Sequence, residues 1–245
     1  MNNKKIFENY LTDHYANCEK TNFRNNDEIL LLLDKNKKPL DHNLKSFFQK
    51  NIRKESNILD LGCGYGSFLH FLWAHNYKNV TGVDISSEEL NVCRTFFKSY
   101  KFHHQDIFEF IHSTEEKFDV VYLSHVLEHI KKDLLFDFLE SVKNILTDDG
   151  FFVIVAPNSA AYFNTAANRY GDLTHELGFT AISLRQLFMV AKFKHIEIRN
   201  FFGAGNMWLN IIRKATLFVF EIFIQILGYE KQSVYTPSVL TIVKK

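Results

Sequence analysis

Cysteine is scarce in this 245-residue chain, and neither sign of charge dominates. The three cysteines, Cys18, Cys63 and Cys93, share no short spacing. They form neither a C-x-x-C pair nor an even disulfide set, so the expected compartment is a reducing one. The formal net charge is +1. A surface that tracks phosphates needs a basic excess, so no nucleic-acid partner is expected. Repeats and low-complexity stretches are absent. Residues 1–9 are basic but lack an apolar h-region behind them, so a cytoplasmic protein is expected. Hydrophobic content of 46% and charged content of 23% are ordinary for a globular protein. The length suits one large α/β domain or a domain with appendages.

The most informative stretch is Asn57-Ile58-Leu59-Asp60-Leu61-Gly62-Cys63-Gly64-Tyr65-Gly66-Ser67. An apolar run ends in a carboxylate and then in glycine at every second position. That pattern is a buried strand breaking into a turn whose backbone must lie against a ligand. The dinucleotide fingerprint is G-x-G-x-x-G, with its third glycine one position later. Here the spacing is G-x-G-x-G, and Cys63 supplies the small side chain such a loop needs. About 24 residues after Asp60, a second short strand ends in Asp84. At that strand–helix–strand distance a carboxylate can accept both ribose hydroxyls of a nucleoside. Three further stretches follow: residues 104–108, an apolar strand at 118–125, and a helix end, turn and fifth strand over 146–158. Helical stretches at 68–75, 87–97 and 133–146 alternate with the strands. The alternation predicts a parallel sheet with helices on both faces and the ligand at the strand carboxyl ends.

From Asp60 through Asn158 this series resembles the motifs of class I S-adenosylmethionine-dependent methyltransferases. The resemblance implies a Rossmann-like α/β fold with a mostly parallel seven-stranded sheet, strands six and seven falling at 194–201 and 238–245. It implies S-adenosylmethionine as cofactor. Asp60, Gly62, Cys63, Gly64, Gly66, Asp84, Ile85 and Ser124 would surround it, Asp106 would accept the adenine amino group, and the Ile107 backbone would meet the ring. Asp60 has a second reading as a turn cap, and Asp106 as a helix cap.

His125-Val126-Leu127-Glu128-His129 matches the inverted zinc-protease pattern H-x-x-E-H, but that motif needs a long helix and a further ligand. Here it straddles the end of the fourth strand. Ubiquinone-pathway O-methyltransferases carry E-x-x-E-H in this slot and can bind a divalent metal there. His125 replaces the first glutamate, and hard cations favour oxygen ligands, so no metal is expected. His125 is read as lining the pocket, whereas Glu128 and His129 serve either catalysis or structural hydrogen bonding.

Residues 158–180 are too long for a plain connector and read as an acceptor loop. Within it, residues 170–180, together with Ser183-Leu184-Arg185-Gln186-Leu187, resemble methyltransferases of bacterial polysaccharide biosynthesis. His175 is the candidate general base for a sugar hydroxyl. Alternatively, His175 and Glu176 pin the loop. Ser183 is the expected N-cap of the next helix.

Two segments flank this core. Residues 1–50 read as an N-terminal helical lead over the cofactor mouth, with 51–245 as the methyltransferase domain. Residues 207–227 are mostly apolar, but Asn210, Arg213, Lys214, Glu221 and Gln225 share one helical face. Three charges make the segment a poor membrane span. It is expected to be a homodimer interface, cover over the sheet, or a helix lying on the inner face of the membrane. The functional expectation is O-methylation of a sugar or glycan precursor. The alternatives are a quinone or secondary-metabolite methyltransferase and a non-catalytic S-adenosylmethionine-binding partner protein.

Overall fold

The computed structural model describes residues 26–162, 165–203, 207–228 and 232–245. The expected helical lead therefore lies partly outside the described residues, as does a short piece of the acceptor loop. Helix α1 (Asn26–Asn51) precedes four strand–helix steps and a fifth strand. These are β1 (Asn57–Leu61), α2 (Ser67–Ala74), β2 (Asn79–Asp84), α3 (Ser87–Phe96), β3 (Lys101–His104), α4 (Ile107–Ser113), β4 (Phe118–Ser124), α5 (Leu135–Ile145) and β5 (Leu146–Pro157). The chain then runs through α6 (Thr165–Tyr170), α7 (Ala181–Val190), β6 (Lys194–Phe201), α8 (Met207–Ile226) and β7 (Ser238–Lys244).

The seven strands form one sheet in the order β3-β2-β1-β4-β5-β7-β6. The first five pair in parallel, and β7 runs antiparallel between β5 and β6. Period-two alternation feeds a separate core on each face. Leu59 and Leu61 of β1, Val121 and Leu123 of β4, and Phe152 and Ile154 of β5 point to the side covered by α4, α5 and α7. Ile58, Val120, Tyr122, Val153 and Val155 point to the other side, where α1, α2 and α3 lie. There the Phe68 and Tyr122 rings stack 3.7 Å apart. Near-continuous apolar strands are what a parallel sheet covered on both faces requires.

Helix α1 is tied to the edge of the glycine turn. Asn36 Nδ2 donates to the Tyr65 hydroxyl at 2.6 Å, and Asp34 and Asp41 meet His70 and His75 of the α2 segment at 2.8 and 2.6 Å.

One local expectation is corrected. Helix α7 is capped by Thr180 and not by Ser183: the Thr180 hydroxyl accepts from the Ser183 N–H, and Ser183 Oγ accepts from the Thr180 N–H. Ser183 is thus the third residue of a reciprocal capping box. On helix α8 the polar face is only partly turned inward: Gln225 is exposed and Arg213 half-buried. Glu221 is buried, whereas Phe218, Val219, Ile222 and Phe223 are exposed. Its Phe220 ring packs on Tyr162.

Candidate active site

The turn after β1 is built on left-handed backbone. Gly62, Gly64 and Gly66 have φ of 71°, 51° and 96°. A Cβ on Gly62 would come within 2.6 Å of Val126 Cγ2, and one on Gly66 within 2.7 Å of the Phe97 ring. The absence of side chains leaves the loop backbone bare toward the strand ends. Cys63 is buried beside Cys93, whose Sγ donates to the Gly64 carbonyl at 3.2 Å. The hydrogen bond with Cys93, and then burial, push the Cys63 thiol up. Its role is packing, and Gly82 makes room for it, since a Cβ there would sit 3.0 Å from Cys63 Sγ.

Asp84 at the end of β2 clamps this loop. Its Oδ2 accepts the Gly64 N–H and its Oδ1 the Ser86 N–H, each at 2.8 Å. The carboxylate therefore has a structural duty in the loop itself. Burial raises the Asp84 carboxyl although backbone N–H groups oppose the shift. Asp60 is buried, its Oδ2 has no hydrogen-bond partner, and burial followed by the Asp84 charge raises it well above the usual carboxylate range. Glu89, missed by sequence reasoning, completes an acidic rim. Its Oε1 would lie 3.4 Å from a Cβ on Gly64, and burial, Asp84 and Glu88 push it up to about 8. Three carboxyls crowded around bare backbone, one with an orphaned oxygen, fit a ligand that carries positive charge and hydroxyl donors. S-adenosylmethionine is such a ligand.

The remaining cofactor candidates border the same edge. Ile85 follows Asp84, and its carbonyl lies 2.9 Å from His104 Nε2. Asp106 caps α4 by accepting the Phe108 N–H at 2.9 Å, and Ile107 begins that helix. Ser124 ends β4.

Beyond Ser124 the chain turns sharply. His125 has φ of 54°, and its N–H bonds the Val155 carbonyl at 2.8 Å. A 3₁₀ turn follows over Leu127–His129. Val126 lies on Gly62, and Glu128 is buried with neither carboxylate oxygen hydrogen-bonded, 3.5 Å from His125 Nδ1. The acceptor loop docks on this turn through main-chain bonds: the Glu176 and Leu177 N–H groups both donate to the Glu128 carbonyl, at 2.8 and 3.0 Å. Arg169 fastens the loop by donating to the His175 and Glu176 carbonyls at 2.7 and 2.9 Å. The His129 and His175 rings meet edge to face at 4.8 Å. His175 Nδ1 is buried without a hydrogen-bond partner, whereas the Glu176 side chain is exposed.

Two segments read separately in the sequence therefore form one site. Glu128, His129 and His175 each offer a ligand atom, all within 4.8 Å of one another, so this group could hold a divalent cation. Sequence reasoning expected no metal because it compared only His125, Glu128 and His129. Asp172, Thr174 and Arg169 were also missed. The one signal for them was Asp172 two residues before Thr174, the spacing of an Asx turn.

Comparisons with known proteins agree with this geometry. The structure of an S-adenosylmethionine-dependent methyltransferase from Archaeoglobus fulgidus superposes with a TM-score of 0.67 at 23% identity, covering 95% of this chain and all of that one. The plantazolicin methyltransferase BpumL in complex with S-adenosylhomocysteine gives a TM-score of 0.58 at 16% identity, over 99% and 94% of the two chains. Both likenesses establish the fold. Among curated proteins, the ubiquinone biosynthesis O-methyltransferase of Actinobacillus pleuropneumoniae is 32% identical over 43% of this chain and 48% of its own. N-methyltransferase 4 of Papaver somniferum is 30% identical over 42% of this chain and 30% of its own. The matches thus span half or less of these relatives. A family model described as methyltransferase domain matches residues 32–198, more than half of the chain, and the protein belongs to that family.

Proposed function

We propose that this protein is an S-adenosylmethionine-dependent O-methyltransferase acting on a sugar or glycan precursor of bacterial surface polysaccharide. One observation carries the methyl-transfer reading: the glycine loop clamped by Asp84 and the docked Glu128–His129–His175 group meet at the strand carboxyl ends, joined by the Gly62–Val126 contact. S-adenosylmethionine, when bound, supplies a methyl group on a cationic sulfonium. Asp60 and the acidic rim would receive its positive end, Asp84 its ribose hydroxyls, and Asp106 with the Ile107 backbone its adenine. The loop 158–180 would then hold the acceptor oxygen in line with the methyl carbon, and orientation is the enzyme's main contribution. The His129–His175 pair, whose rings are in contact, would take the hydroxyl proton.

The glycan part of this reading is supported by the resemblance of residues 170–180, together with 183–187, to polysaccharide-pathway enzymes. The test is transfer of isotope-labelled methyl from S-adenosylmethionine to a panel of sugar nucleotides, lipid-linked sugars and phenolic quinols. Label on a sugar acceptor is the expected result, and label confined to phenols would overturn it.

A second reading, a small-molecule methyltransferase of the quinone type, is favoured by the grouping of Glu128, His129 and His175 and by the 32% identical relative. A cation there would polarise an acceptor oxygen as a Lewis acid. Loss of turnover on chelation, restored by divalent metal, would select it.

The outward apolar face of α8 supports self-association of two copies. Eight large apolar residues between Ile211 and Leu227 are exposed, and such a face seeks cover. Peripheral membrane contact is the competing arrangement. No helix among the described residues is long and apolar enough to cross a membrane.

A further inference from the structure

Thr174 stands between Asp172 and His129. Its hydroxyl lies 2.6 Å from Asp172 Oδ1 and 2.9 Å from His129 Nδ1, and its N–H donates to the same Asp172 oxygen at 2.8 Å. Burial pulls the Asp172 carboxyl up, but the two bonds from Thr174, with His129 and His175 nearby, hold it below its ordinary range. An ionised carboxylate can only accept, and 2.6 Å is the length of a charge-assisted O–H···O⁻ bond. The single hydroxyl proton of Thr174 is therefore committed to Asp172. Toward His129 the hydroxyl can act only as an acceptor, so Nδ1 must carry the ring proton. The Thr174 carbonyl, 3.2 Å from the same nitrogen, imposes the same requirement. In a neutral imidazole the lone pair then resides on Nε2.

We propose that Asp172 and Thr174 are positioning residues that fix His129 as its Nδ1–H tautomer, making His129 Nε2 the atom that takes the acceptor's proton. This deepens the functional reading above and rests on it for the chemistry, although the tautomer does not depend on it. In the step itself, a lone pair of the acceptor oxygen forms the new O–C bond while the C–S bond breaks with its pair remaining on sulfur. The O–H electrons stay on oxygen, the proton passes to Nε2, and the imidazolium later releases it to solvent. His175 has no comparable lock, since its Nδ1 lacks a hydrogen-bond partner.

The test is long-range ¹⁵N–¹H spectroscopy of the labelled full chain at alkaline pH, after chelator treatment and without acceptor. The His129 signals are assigned by difference from His129→Gln. The expected spectrum shows a protonated Nδ1 and an unprotonated Nε2. Thr174→Val and Asp172→Ala should give mixed tautomers, and Thr174→Ser the native one. In turnover, Thr174→Val should lose about 10–100-fold, the usual scale for a partner that orients a functional histidine. S-adenosylhomocysteine affinity should be unchanged, and Thr174→Ser should restore turnover. A proton on Nε2 of wild-type His129, or Thr174→Val turning over like wild type with its tautomer mixed, would overturn the proposal. The native tautomer in a protein that methylates no acceptor would uphold the lock and overturn the functional reading alone.

Discussion

Val126 lies directly on Gly62, closer than any side chain at position 62 would permit: a Cβ there would meet Val126 Cγ2 at 2.6 Å. Through this contact the donor loop and the turn carrying Glu128 and His129 keep a fixed spacing. Gly62→Ala should therefore both strain the backbone at φ 71° and wedge the two halves apart. The left-handed conformation alone costs an alanine ~1–2 kcal/mol. The expected result is a lower melting temperature and at least tenfold weaker S-adenosylhomocysteine binding. An unchanged affinity would show that the loop tolerates displacement.

Glu89 gives a pH prediction. Its folded-state carboxyl is raised from 4.5 to about 8, chiefly by burial, so the fold favours its protonated form. That contribution is complete below pH 4.5 and is lost as pH rises through about 8. Glu89→Gln, which keeps the neutral shape, should flatten the fall in stability between these values, read by urea midpoints across pH. If the wild-type and variant curves run parallel, Glu89 ionises without cost.

The capping box at α7 separates two neighbouring hydroxyls. Thr180→Ala removes the cap and should cost ~1 kcal/mol. Ser183→Ala, which leaves the Thr180 hydroxyl on the Ser183 N–H, should cost less in the same denaturation series. The reverse ranking would restore Ser183 as the cap.

Much of this was legible in the sequence, for identifiable reasons. Strand β1, the glycine turn and Asp84 were readable because glycine at positive φ and a strand-terminal carboxylate leave local signatures. The docking of residues 174–177 on Glu128 was not, because it runs through main-chain N–H groups that any residue could supply. Nor was the Thr174–His129 contact, which joins positions 45 apart in the chain. The orientation of Glu221 in segment 207–227 was not legible either. A polar stripe is ordinarily the solvated face, yet here Glu221 is turned inward and the phenylalanines at 218 and 223 outward.

The exposed apolar face of α8 yields an oligomerisation test. Phe218, Ile222 and Phe223 are 64%, 44% and 55% exposed. Replacing all three with serine should convert a dimer into a monomer in sedimentation while leaving the circular dichroism spectrum unchanged. A wild-type chain that is monomeric and binds liposomes would assign the face to a membrane.

The central claim is that the glycine loop and Asp84 hold S-adenosylmethionine, and calorimetry on the purified chain tests it most directly. S-adenosylhomocysteine should bind and NADH should not. Asp84→Ala should weaken binding severely, because it removes the loop clamp at Gly64 together with two ribose hydrogen bonds worth ~1.5–3 kcal/mol each when the acceptor is charged. Binding of NADH in place of S-adenosylhomocysteine, or an Asp84→Ala protein that binds as tightly as wild type, would contradict the account.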